Sequence, residues 1–477
     1  MGLSFPKERW RELSLGINAA AQEFEFADAA SCIKWLLSSS LTNYQFEILA
    51  SHLTIGETYF FREMNSLQIL AERILPKLIS LRREEDRHLR IWSVACSTGE
   101  EPYSVAILLD KLLPDIQDWR VTITATDINS RSLQKAGEGI YGEWSFRSTP
   151  SWIRQEYFRT TQEKNQLKIS PRIKGMVNFA YLNLATDTYP SLLNNTNAMD
   201  VILCRNVLMY FTSELANRVI RRLRRALVDG GWLIVSPMDG ALALSSRFAP
   251  ITFSEATLYK KDDKSRSSPP TPSLDTEPEL LALTPVFPPA TQPGIVCAEA
   301  EWQPIQSEVE SPETPNDDPL TLYAQGQYGE AAKRILALVS LNEKDANALA
   351  LLARIYANQG KLAEALGWCE KAVAADKCLP GLHCLLANIL QEQGEIPAAV
   401  QSLKRALYLD QTFVLAHFAL GNLSREQGQF IESKKHFLNA LSLLGAFDQE
   451  AILPESEGLT AGRLVEIING MGYGASA

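Results

Sequence analysis

A glycine followed by two carboxylates, Gly99-Glu100-Glu101, stands between an apolar β-rich run, LRIWSVAC, and the amphipathic stretch EEPYSVAILLDKLL. A glycine where a strand turns into a helix lets backbone approach a ligand closely. This is not the G-x-G-x-x-G of dinucleotide enzymes, because only one glycine is present, and two negative charges occupy the place of a pyrophosphate. The pattern disfavours a phosphate and favours a cationic or hydroxyl-bearing ligand. Glutamates in a first helical turn also complement the helix dipole, so the motif alone leaves both readings open. Asp127 ends a second β-rich run, VTITATD, 28 residues after Gly99. A carboxylate at that strand tip suits the two hydroxyls of a ribose, and it equally caps the next helix, DINSRSLQKA. A ribose-binding carboxylate combined with an acidic first loop fits S-adenosylmethionine, whose sulfonium and amino groups are positive and which carries no phosphate.

Methyl transfer from a sulfonium is an in-line displacement, and a carboxylate acceptor is already ionised at pH 7, so no general base is needed. The chain has five histidines, of which only His52 and His88 fall in the first 260 residues. No His/Cys/Asp group has metal-ligand spacing, so no metal is expected. The seven cysteines are odd in number, scattered and free of C-x-x-C pairs, as expected of reduced, mostly buried thiols.

The elements that must position these residues emerge from the apolar pattern. From Leu89 on, LRIWSVAC, VTITATD, VNFAYLN, MDVILCR and GGWLIVS alternate with helical stretches. Such alternation implies a mostly parallel sheet with helices on both faces, which binds ligands at the carboxyl ends of its strands. Residues 1–88 show helical periodicity, as in AASCIKWLLSSS, and predict a small all-α domain. Residues 261–318 hold twelve acidic against three basic residues and are proline-rich, which accounts for nearly all of the net charge of −10. That composition predicts a self-repelling, disordered linker that would tether the C-terminal region without fixing its orientation. The nearly neutral remainder gives no support to a nucleic-acid binder.

After the linker, Gln-Gly recurs at Gly326, Gly360, Gly394 and Gly428, always 34 residues apart. Ala331, Ala365, Ala399 and Ser433 come five residues after each glycine. Phase-locked small positions at this period predict two antiparallel helices per repeat. Residues 319–448 resemble the tetratricopeptide repeat (TPR) family, with about three repeats plus a partial one, and 449–477 form a tail or capping helix. At 477 residues with 46% apolar and 21% charged composition, several soluble domains are expected. No apolar run is long enough to span a membrane, and the charged start MGLSFPKERWREL lacks a signal peptide, so a cytoplasmic location is expected.

ETYFFRE, IWSVACSTGEEPYSVAILL, ITATDINSRSLQKAGEGIY, NFAYLNL and ILCRNVLMYF together resemble the CheR family of chemotaxis-receptor glutamate methyltransferases over residues 10–260. The resemblance implies a Rossmann-like S-adenosylmethionine-dependent methyltransferase domain at 89–260. It assigns Thr58, Arg62, Glu101, Asp127, Asn183, Leu184, Arg205 and Asn206 to the cofactor, beside the turn glycine Gly99, and it places Tyr210 beside the reacting methyl. Arg62 would also align the substrate carboxylate through its two-donor fork. The chain departs from the family at Gly56, where many relatives have Asn, and at SPMDG, where they show a G-H-S-E-like run. The implied reaction is γ-glutamyl methyl ester formation on the cytoplasmic helices of methyl-accepting chemoreceptors, with a further protein partner held by the TPR domain. Two alternatives stand beside it: a catalytically silent TPR adaptor, and a methyltransferase acting on another carboxylate. Two basic groups, Arg82/Arg83/Arg87/Arg90 and Arg218/Arg221/Arg222/Arg224/Arg225, read as solvated faces, the first also as a contact for an acidic receptor helix.

Overall fold

The computed structural model describes residues 1–38, 41–162, 165–254, 256–262 and 318–473. The linker expected at 261–318 lies, from 263 to 317, outside the described residues. The chain begins with three short helices, α1 (Trp10–Glu23), α2 (Ala29–Ser38) and α3 (Asn43–Leu53). α3 starts at a reciprocal cap: Thr42 Oγ1 accepts the Gln45 N–H at 3.3 Å, and Gln45 Oε1 accepts the Thr42 N–H at 2.8 Å. After a loop, α4 (Met64–Ile69), a π turn (Leu70–Ile74) and α5 (Leu75–Arg83) run on and bury Leu67, Leu70, Ile74 and Leu75 in the core of the sheet domain.

That domain consists of β1 (His88–Val94), α6 (Glu100–Leu112), β2 (Arg120–Asp127), α7 (Ser130–Glu138), β3 (Ile140–Gly142), α8 (Ser151–Tyr157), β4 (Phe158–Thr160), β5 (Gln166–Ile169), α9 (Pro171–Lys174), β6 (Val177–Tyr181), β7 (Met199–Cys204), α10 (Ser213–Ala226), β8 (Leu227–Val235), α11 (Gly240–Ser245), β9 (Phe248–Thr252) and β10 (Thr257–Lys261). The large sheet has the order β6-β2-β1-β7-β8-β10-β9, its first five strands parallel and β10 antiparallel to both neighbours. Those five are the β-rich runs of the sequence. β1 and β7 are buried along their whole length, as parallel strands covered on both faces must be. The pattern did not reveal β9 and β10, each five residues long and the first an edge strand that contains Pro250, nor the separate antiparallel sheet β3-β5-β4. The register pairs Val94 with Thr126 and Asp127 with Tyr181, so the tips of β1, β2 and β6 end level.

The C-terminal part is four helix pairs: α12 (Pro319–Gln325) with α13 (Tyr328–Leu341), α14 (Ala346–Asn358) with α15 (Leu362–Ala375), α16 (Pro380–Glu392) with α17 (Ile396–Leu409), and α18 (Val414–Glu426) with α19 (Phe430–Leu444). The final helix is α20 (Ala461–Ile468), whose Leu464 and Ile468 join the core of the last repeats. Each turn glycine has φ between +73° and +83°, a conformation that costs a residue with a Cβ about 1 kcal/mol. No helix among the described residues is long and apolar enough to cross a membrane.

The repeats do not hang free as the linker composition suggested. Three of the four turns abut the sheet domain at the amino ends of its strands. Gly326 lies against the stem of Arg225, Gly360 against Val228 and Ala198, and Gly394 against Arg120, whereas Gly428 has nothing within 4 Å. Leu192 and Leu193, between β6 and β7, enter the hydrophobic clusters of the repeats, beside Arg354, Cys384 and Leu385 of α14 and α16. Arg90 Nη1 pairs with Glu392 Oε2 at 3.3 Å, each side chain only 5% exposed. The basic groups are only partly engaged. Arg82 pairs with Asp200 at 2.7 Å and Arg90 is buried against Glu392, whereas Arg87 is exposed and Arg83, 44% exposed, pairs with Asp115 at 2.6 Å. On α10, Arg218 and Arg221 are exposed, but Arg225 donates to the Ala324 carbonyl at 2.6 Å and Arg222 to the Asp187 carbonyl at 3.2 Å. Amphipathic spacing says which face of a helix is polar, not whether that face meets solvent or a neighbouring module.

Candidate functional site

At the carboxyl ends of β1 and β7, and in the loop that faces them, the chain repeatedly takes backbone conformations unfavourable to side chains. Ala95, Ser97 and Asn206 come after these strands with φ of 55°, 49° and 55°, Gly99 has φ of 92°, and Phe61 and Glu63 in the facing loop have φ of 58° and 51°. Strain gathered in one place is typical of a functional site. At Gly99 an added Cβ would also meet Ala136 Cβ at 2.9 Å and Phe179 Cζ at 3.1 Å.

The paired glutamates of the first loop have separate partners. Glu100 is 2% exposed and accepts from Thr98 Oγ1 at 2.7 Å and Ser145 Oγ at 2.9 Å. Glu101 accepts from Ser93 Oγ at 2.7 Å and Arg205 Nη1 at 3.1 Å. Burial raises the pKa of both carboxyls, and Arg205 pulls that of Glu101 back down. Asp127 is buried at its strand tip: Oδ2 accepts the Ser97 N–H and Oδ1 the Asn129 N–H, both at 2.8 Å. Burial raises its pKa too, opposed by those amide donors. The helix cap expected of Asp127 belongs to Asn129, whose Oδ1 accepts the Ser132 N–H at 3.1 Å, and Asn129 Nδ2 also reaches Thr54 of the helical domain at 2.9 Å.

The loop 57–63 forms the opposite wall. Arg62 is in a turn, not on a helix, and its Nη1 donates to the Glu57 carbonyl at 2.5 Å. The neighbouring Glu63 closes the site: its carboxylate receives Arg205 at 3.3 Å and Asn206 Nδ2 at 3.0 Å. Arg205 also donates to the Arg62 carbonyl, so its guanidinium, 2% exposed, joins the loop to Glu101. Tyr210 is half-buried with the Arg9 guanidinium over its ring at 4.6 Å. Burial raises its phenol pKa against the nearby positive charges of Arg9 and Arg62. Thr58 sits, partly buried, in the same loop. Asn183 and Leu184, both buried, lie just beyond β6, where Asn183 Oδ1 accepts the Ala185 N–H at 3.0 Å.

The structure thus brings all ten sequence-selected positions to one end of the sheet. Residue spacing did not single out Glu63, Ser97, Asn129 or Asp187, whose partners lie on other elements. Ser97 bonds both Asp127 and the Gly56 carbonyl, the latter at 3.2 Å, joining the helical domain to the strand tips. Burial raises the thiol pKa of Cys96 and Cys204 well above the ordinary value, which removes them as nucleophiles. No group of three or more His, Cys, Asp or Glu residues that could hold a metal occurs among the described residues.

These residues fit S-adenosylmethionine. The strand tips carry carboxylates, which suit a cation and hydroxyls, and the buried Arg205, the group best suited to a phosphate, is already neutralised by Glu63 and Glu101. The comparisons agree. Residues 56–249 match the family described as CheR methyltransferase, SAM binding domain, while 320–377 and 387–428 match tetratricopeptide repeat families. The chain is 32% identical over 223 residues to chemotaxis protein methyltransferase 2 of Vibrio cholerae, covering 47% of this chain and 75% of that protein. It is 33% identical over 201 residues to a chemotaxis protein methyltransferase of Borreliella burgdorferi, 42% of this chain and 69% of that one. A longer match, 29% over 297 residues, covers 60% of this chain and 67% of the probable biofilm formation methyltransferase WspC of Pseudomonas aeruginosa.

Proposed function

The chain belongs to the CheR family of S-adenosylmethionine-dependent chemotaxis protein methyltransferases and carries C-terminal TPR repeats, and we propose that it esterifies glutamate side chains on the cytoplasmic helices of methyl-accepting chemoreceptors. The product is a γ-glutamyl methyl ester. The observation that carries this reading is the cleft's own chemistry: it gathers Glu63, Glu101 and Asp127 around a site with no histidine and no reactive thiol, which suits an acceptor that arrives already ionised.

The bound cofactor supplies an electrophilic methyl on a sulfonium. Asp127 takes the ribose hydroxyls with lone pairs left over from the Ser97 and Asn129 amides. Glu101, held by Ser93 and Arg205, offsets the cofactor's positive charge. Arg205 and Asn206 act largely by fixing the 57–63 loop through Glu63, and with Thr58, Gly99, Asn183 and Leu184 they complete the walls. Arg62, anchored on the Glu57 carbonyl, aligns the substrate carboxylate, and Tyr210 borders the methyl. Alignment and exclusion of water do the catalytic work, since effective molarities in well-oriented reactions supply about 7 kcal/mol or more of a barrier. The repeats hold a further protein partner. With Leu192 and Leu193 already against α14 and α16, that partner either competes with this contact or uses another face.

The test is incubation of the chain with methyl-labelled S-adenosylmethionine and a receptor cytoplasmic fragment, then mild alkali. Label released as methanol supports the ester. Label stable to alkali points to another acceptor atom, and no incorporation favours the silent adaptor.

A further inference from the structure

We propose that Arg463, on the last helix beyond the repeats, is a positioning residue of the methyl-donor site, holding the Asn183-Leu184 loop in its binding shape through Asp187. The inference rests on the reading that Asn183 and Leu184 touch the cofactor.

β6 ends at Tyr181, level with Asp127, and the chain then folds into a tight loop. Asp187 Oδ2 accepts the Asn183 N–H at 2.6 Å, and the Asn183 carbonyl accepts the Asp187 N–H at 2.9 Å. One carboxylate therefore staples the loop. Arg463 pairs with that carboxylate, Nη2 donating to Oδ2 at 2.7 Å while Nε lies 2.5 Å from Oδ1 as a charge contact without hydrogen-bond alignment, and it lies over the Tyr181 ring at 4.6 Å. The side chains are 13% and 7% exposed, so water competes weakly for the pair. Other groups complete the surroundings. Thr186 Oγ1 lies 3.4 Å from Asp187 Oδ1, Arg222 binds the Asp187 backbone carbonyl, the Met1 ammonium feels both charges, and Glu466 pairs with Arg463 from within α20.

Arg463 is itself fixed to the repeats. Thr460 caps α20 by accepting the Arg463 N–H at 3.3 Å, and Leu464 and Ile468 are fully buried in the core of the last repeats. The pair thus spans 276 residues and ties the repeat module to the loop beside the strand tips. Loosening the module from the sheet domain would be felt as a change in cofactor affinity, a coupling of the usual kind between two sites.

Titration calorimetry of the full chain with S-adenosylmethionine tests this. Arg463→Ala should raise the dissociation constant about tenfold, and the cofactor KM with it, while turnover at saturating cofactor changes by less than about twofold. Asp187→Asn should act similarly, and the double variant should be no weaker than the worse single one, because both remove the same contact. Arg463→Lys, keeping the charge and one hydrogen bond, should recover part of the loss, which a general unfolding of the module would not allow. Affinity within about twofold of the parent in Arg463→Ala, or full additivity of the two changes, overturns the proposal. Asn183→Ala is the control. If it leaves affinity unchanged, the placement of the cofactor falls and this inference with it. If it weakens binding while Arg463→Ala does not, only the role of Arg463 falls.

Discussion

The two ends of the parallel sheet are built on different terms. At the carboxyl ends, backbone strain at Ala95, Ser97 and Asn206 accompanies the partly buried carboxylate of Glu101 and the buried one of Asp127. At the amino ends, Arg82, Arg90, Arg120, Asp200 and Glu392 are closed over by charge pairing and by the turns of the repeats. Both clusters find partners within the chain; what differs is the strained backbone gathered at the carboxyl ends and the repeat turns seated over the amino ends. The difference teaches that a charged cluster alone does not mark a binding site, and that strained backbone gathered beside it is the better guide.

The largest effect separating the two ends is expected from Arg90→Ala. It leaves Glu392 buried without its cation, and losing one member of a buried pair costs about 3–5 kcal/mol. Denaturant unfolding should show that loss while cofactor affinity barely moves. A change under about 1 kcal/mol would mean the repeats are not held there. Asp127→Ala comes next, on cofactor affinity: losing two hydroxyl partners weakens binding by about 2–3 kcal/mol, or roughly 30–150-fold. An unchanged dissociation constant would move the ribose elsewhere. Arg62→Ala should lower turnover about 10–100-fold, or about 1.4–2.7 kcal/mol of barrier, with a smaller loss of affinity. Turnover within about threefold beside collapsed binding would sink the alignment role.

A pH effect belongs to the amino end. Burial, with Arg90, Arg120 and Arg82 nearby, lowers the His88 pKa to about 2, and Arg120 Nη2 donates to its Nδ1 at 3.0 Å. The fold keeps this ring neutral while the unfolded chain protonates it below about 6.5. Its contribution to stability is complete above that pH and is lost progressively as pH falls toward about 2. By pH 5 the loss should reach about 1–2 kcal/mol, and His88→Gln should flatten the slope of stability between pH 7 and 5. A slope unaltered by that substitution would assign the acid lability to other groups. The smallest effect compares turns. Gly326→Ala and Gly428→Ala carry similar conformational strain, at φ of 77° and 73°, but only the first drives a methyl into the stem of Arg225. It should cost about 1 kcal/mol more in thermal unfolding, and equal costs would place the first turn away from the sheet domain.

The cleft was the more legible end. Gly99 and Asp127 are placed by local rules, a strand, a tight turn and a helix start, so spacing alone brought them together. Asn183 and Tyr210 came through motif resemblance. Glu63 and Asp187 were missed because each acts on residues far along the chain, Arg205 and Arg463. Arg218 and Arg221 of α10 are exposed as read, but Arg222 and Arg225 were misread for the same reason, since a polar helix face looks alike whether it meets water or the Ala324 carbonyl.

Sequence alone determined the parallel strands, the helix pairs and the row of turns, because period 2, period 3.6 and a 34-residue repeat are local consequences of backbone geometry. The same period even aligned Gly326, Gly360 and Gly394 on one side. What they would rest against was decided only in the tertiary structure. Arg90 with Glu392, and Asp187 with Arg463, are charge pairs whose members lie hundreds of residues apart, and each member alone reads as an ordinary solvated charge. Their value comes from being buried together, and burial is a property of the packed modules rather than of any segment.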